Sequence, residues 1–131
     1  LVIINIKSME QRSEQLSNLD KLNYLLGKIW HNEEARKQVE QIVNSDKESQ
    51  EMLPRLLEEK IEKAIDGGGA DSARGMIELA KEQGVNLDLK AFPKIIDKAL
   101  KQFVNGENAD VEIAQSLLKL QKEIWDSIEG K

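Results

Sequence analysis

The stretch Asp66-Gly67-Gly68-Gly69-Ala70-Asp71-Ser72-Ala73-Arg74-Gly75 places three consecutive glycines ahead of a helical pattern, with an arginine one turn inside it. Glycine-rich backbone leading into a helix N-terminus can cradle phosphate, because unobstructed N–H groups and the helix dipole both favour an anion. Here the resemblance stops short. No Gly-Lys-Ser/Thr follows, as a P-loop requires, and no strand-like run precedes, as a dinucleotide fingerprint requires. The expectation is an inter-helix turn, with the next helix opening at or just before Asp71.

His31 is the single histidine, beside Trp30 at the end of an apolar run. One imidazole without a nucleophile elbow builds no Ser-His-Asp constellation, and one imidazole alone builds no histidine metal site. A solvent-facing helix end is expected for it. The acidic residues Glu33-Glu34, Glu58-Glu59, Glu62 and Asp66 alternate with lysines, as in Glu59 and Lys63, which is the pattern of a solvated helix face. No calcium loop of the Asp-x-Asp-x-Asp-Gly type occurs. The chain contains no cysteine, which removes thiolate nucleophiles, thiolate metal sites and disulfides together and fits a cytoplasmic protein. No catalytic, cofactor-binding or metal-binding residue is assigned.

Lys90, Lys94, Lys98 and Lys101 form the most pointed charge pattern. At about 100° per residue they fall within an arc of roughly 80°, opposite Phe92, Ile95, Ala99 and Phe103. A basic stripe on a chain of net charge −5 can receive an acidic partner or serve as a solubilising face. No aromatic residue interleaves with the lysines, so bases would find no stacking platform, and the acidic total argues against a nucleic-acid binder.

Helices must position these residues. Hydrophobic residues make up 40% of the 131 positions but aromatics only 4%, so the core has to be built from Leu, Ile, Val and Ala. Ser17-Asn18 is a helix start, followed by Leu19, Leu22, Leu26 and Ile29 at helical spacing. Asn32, backed by Glu33 and Glu34, starts a second helix carrying Ala35, Val39, Ile42 and Val43. Residues 44–50 read as a polar connector. A long helix with Leu53, Leu57, Ile61 and Ile65 runs to the glycines, and a shorter one with Ala73, Met76, Ile77 and Ala80 stops at Gly84. Asp88 opens a segment that ends at Asn105-Gly106, and a last helix carries Val111 to Ile128. The pattern predicts an all-α protein of five to seven helices, stacked as antiparallel hairpins into a short α-α superhelix or compact bundle.

Residues 53–71, LPRLLEEKIEKAIDGGGAD, resemble residues 92–110, FPKIIDKALKQFVNGENAD, at an offset of 39. Pro54 matches Pro93, Asp66-Gly67 matches Asn105-Gly106 and Ala70-Asp71 matches Ala109-Asp110. This predicts an internal repeat over 53–91 and 92–129, within a helical domain of residues 9–131. Residues 1–8, LVIINIKS, read as an apolar arm, too short to span a membrane.

Two further features point outward. Trp30 and Trp125 lie near helix ends, where burial in the core is the expectation and exposure would mark an interface. In the last helix Leu120 lies roughly 160° from Leu118 around the axis. One flank, with Leu120 or Trp125 in it, is therefore left over to meet another protein, the apolar arm or a second copy of the chain. The functional expectation is a non-catalytic protein–protein interaction module. One alternative is a regulatory or inhibitory subunit docking an acidic partner or nucleic-acid machine through the lysine stripe. Another is an enzyme with carboxylates in a groove between hairpins.

Overall fold

The structure, a computed structural model, describes residues 17–130; the arm at 1–8 lies outside the described residues. The described residues form six helices: α1 (Asn18–Leu26), α2 (Glu33–Ser45), α3 (Lys47–Asp66), α4 (Ala70–Glu82), α5 (Phe92–Asn105) and α6 (Val111–Ile128), with a 3-10 turn at Leu89–Ala91 before α5. No strand occurs among the described residues. The protein is all-α.

Helices pack in pairs along the chain: α1 with α2, α3 with α4, α5 with α6. Between pairs, α3 touches both α1 and α5, while α4 touches α6. The odd helices thus form one layer and the even helices the other. The core runs between the layers. Leu53, Leu57, Ile61 and Ile65 line α3 at intervals of four, and Ala73, Met76, Leu79 and Ala80 line the buried face of α4. Leu22, Leu26 and Ile29 close one end, and Ala114, Leu117, Leu120 and Ile124 the other.

Four of the six helix starts, those of α1, α2, α3 and α6, follow from side-chain caps. Ser17 Oγ accepts from the Asp20 N–H at 3.1 Å and Asn32 Oδ1 from the Ala35 N–H at 3.1 Å. Between α2 and α3 the expected seven-residue connector shrinks to Asp46 alone, which ends one helix and caps the next. Its carboxylate accepts from the Ser49 N–H at 3.2 Å and from the Ser49 hydroxyl, and Ser49 is buried. These bonds hold the Asp46 carboxyl below the usual aspartate range, the Ser49 hydroxyl contributing most. The polar composition that reads as a loop is in fact a cap followed by a first helical turn.

The glycine triplet is an inter-helix turn. The N–H groups of Gly67, Gly68 and Gly69 all donate back to α3, to the carbonyls of Lys63, Ile65 and Ala64. None is left to cradle an anion. The left-handed residue is Gly68, at φ +80°, not Gly67. A Cβ on Gly68 would stand 2.7 Å from Ile113 Cγ2 and 3.0 Å from Phe103 Cζ, so glycine lets this loop press against the α5–α6 pair. Gly106, the counterpart of Gly67, sits at φ −86°, ψ −179°, and its loop closes differently, by the Asp110 N–H donating to the Phe103 carbonyl at 2.8 Å. Pro54 lies inside α3, whereas Pro93 occupies the first turn of α5, where a missing N–H costs nothing.

Candidate interaction surface

The α5–α6 hairpin is held from three directions. Pro93 starts α5, and Asp110 starts α6 by accepting from the N–H groups of Glu112 at 3.0 Å and Ile113 at 3.3 Å. The buried face of α6 packs Ala114, Leu117, Leu120 and Ile124 inward. Toward α4, Glu123 takes a two-pronged contact from Arg74, at 2.8 Å from Nε and 3.0 Å from Nη2. The Glu123 hydrogen bond is the leading reason the Arg74 guanidinium is held even more firmly protonated than usual. Toward α5, the Gln121 amide donates to the Pro93 carbonyl at 3.1 Å and to Asp97 at 2.8 Å. Gln121 and Asp97 therefore mark the seam between the two helices.

On either side of that seam the same offsets recur. Leu118 and Trp125 lie three residues before and four after Gln121, and Lys94 and Lys101 lie three before and four after Asp97. Residues at these offsets share a helix face. The seam is thus bordered on α6 by an apolar row and on α5 by a basic one. Val111 extends the α6 row, so that Val111, Leu118 and Trp125 follow one another at seven-residue intervals. They are 71%, 51% and 45% exposed, and Val104 on α5 is 56% exposed. Of the five large apolar side chains exposed among the described residues, four belong to this hairpin. Lys122, four residues after Leu118 and three before Trp125, borders the row on its solvent side.

Lys90, Lys94, Lys98 and Lys101 are all exposed, with Lys90 in the 3-10 turn and Lys98 rotated away from the seam. None of these four, nor Lys122, is in an ion pair among the described residues. Of the two residues expected on the leftover flank, Leu120 is not there: it is 1% exposed, in the core, and Leu118 holds the outer flank with Trp125. Trp125 is not a core residue. Trp30 is half-buried under the Arg74 guanidinium, 5.6 Å from the ring centroid, and lies against Gly75. His31 is exposed, at φ +54°, its ring tilted against Trp30 at 4.2 Å.

The chain matches no protein-family model, no curated protein and no solved structure.

Two other concavities compete for attention. A groove of about 470 Å³ between α1 and α2 is lined by Tyr24, Leu25 and Ile42 together with Asp20, Lys21, Gln38 and Gln41. A shallow depression beside the glycine loop brings Asp71 and Glu112 together with Ser72 and Ser116. Asp71 is already committed there to Arg74. Among the described residues no group of three His, Cys, Asp or Glu side chains is placed to hold a metal ion. No described helix is long and apolar enough to cross a membrane.

Proposed function

We propose that the protein is a non-catalytic protein-interaction module and that the outer face of the α5–α6 hairpin is its docking surface. The row Val111–Leu118–Trp125 carries this reading. Its side chains are large, apolar and aligned, and about half or more of the surface of each is open to water. Burying such surface is worth about 25 cal/mol per Å², and tryptophan is enriched among residues that dominate binding energy. The neighbouring lysines support the same reading, because their charge is left for a partner to meet.

The test is capture from extract of the native cell, with the full chain and with a Leu118→Ser/Trp125→Ser variant as baits. Both substitutions are at exposed positions, so the melting temperature of the variant should stay close to that of the parent. Proteins retained by the parent and lost by the variant support the reading. An identical set retained by both overturns it.

A further inference from the structure

This inference rests on the docking surface proposed above and names the chemistry of what it receives. Anchors seven residues apart drift only about 20° per interval, so Val111, Leu118 and Trp125 make a nearly straight row along α6. From first to last the row spans roughly 21 Å at about 1.5 Å per residue, the length of four helical turns. A second helix crossing at a shallow angle presents anchors at the same interval. An extended strand presents same-face residues about every 6.6 Å and would not keep step with the row.

Charge selects the kind of helix. Lys94 and Lys101 border the row from α5, and Lys122 borders it from α6, all three without an ion-pair partner among the described residues. The carboxylate in the seam, Asp97, already accepts from Gln121. A second copy of the chain would bring lysines against lysines across a twofold axis. We infer that the α5–α6 face receives an acidic amphipathic helix of about four turns. Its apolar residues sit on Val111, Leu118 and Trp125, and its carboxylates align with Lys94, Lys101 and Lys122.

Two synthetic helical peptides test this. They share leucines at seven-residue intervals and differ only in their flanks, glutamate in one and lysine in the other. Each is titrated into the full chain, following Trp125 fluorescence, with Trp125→Phe isolating its signal from that of Trp30. The glutamate peptide should bind at least roughly tenfold more tightly than the lysine peptide, and its affinity should fall as salt rises. Lys94→Glu/Lys101→Glu should invert the preference, Lys94→Gln/Lys101→Gln should flatten it, and Leu118→Ser should weaken both peptides. Equal affinity for the two peptides would overturn the acidic partner while leaving the docking surface standing. Binding of neither, alongside captured proteins that still depend on Leu118 and Trp125, would overturn the helical partner alone. Self-association of the parent chain in light scattering, abolished by Leu118→Ser, would put a second copy in the partner's place.

Discussion

The two tryptophans sit in opposite settings built from the same kinds of residue. Trp30 lies where the first hairpin meets the second, under Arg74 and against Gly75. Arg74 is in turn held by Asp71 and Glu123, and nearby Arg36 reaches across to Glu78 at 3.1 Å and Glu82 at 2.8 Å. Both arginines at these joints have their acids. Trp125 lies on the outer face of the last hairpin, beside lysines with no acid paired to them among the described residues. An aromatic ring and basic groups lock a joint when the counter-charges belong to the next hairpin. They leave an open surface when no further hairpin follows in the described fold. A repeat-like array needs a polar outer face at its ends, and α6 does not supply one.

The sharpest way to break this contrast is within α6 itself. Leu120→Ala removes a side chain from the core and should cost roughly 2–5 kcal/mol in chemical denaturation. Leu118→Ala, two residues away, should stay within roughly 0.5 kcal/mol of the parent. Similar losses at the two positions would mean that the outer flank is not open.

The glycine loop comes next. Gly68→Ala combines a left-handed backbone with a methyl forced on Ile113 and Phe103, and should cost roughly 2–3 kcal/mol. Gly84→Ala shares the left-handed backbone, at φ +69°, but has nothing within 4 Å of the added Cβ. It should cost only about 1 kcal/mol. Equal costs would show that the loop does not press on the α5–α6 pair.

Joints and face should then part on their charges. Arg74→Met breaks a partly exposed pair at a joint and should lower stability by roughly 1–2 kcal/mol, less at high salt. Lys94→Gln/Lys101→Gln removes charges with no ion-pair partner among the described residues and should leave thermal stability nearly unchanged.

The smallest expected effect is at Asp46. Its folded pKa lies below the unfolded value, so its stabilisation is complete above the unfolded pKa and is lost as pH falls through the folded one. An acid titration of stability should therefore lose part of its slope in Asp46→Asn, and unchanged slope would remove this cap from the account.

The periodicity of apolar residues was enough to place the helices, because a stripe recurring every three or four residues has one economical solution. Ser17 and Asn32 were legible as caps for the same local reason. What could not be read locally was set by neighbours distant in sequence. The angle between Leu118 and Leu120 follows from the helix, but which of them is buried depends on where α4 and α5 lie. The offset of 39 sets Gly68 opposite Glu107, and only the contact with Ile113 and Phe103 shows why a side chain does not fit at Gly68. Asp46 was hidden because a cap and a first turn are as polar as a loop. On the candidate surface, the lysines and Trp125 were visible one by one. Their placement on one face needed the Gln121–Asp97 contact, which joins residues 24 apart.

Hydroxyl-radical footprinting of the protein with and without its captured partner tests the central claim most directly, because it reads side-chain exposure residue by residue. The account predicts protection of Val111, Leu118, Trp125, Lys94 and Lys101, with Tyr24 and Ile42 in the α1–α2 groove unaffected. Protection centred on Tyr24 and Ile42, with Leu118 and Trp125 still fully reactive, would contradict it.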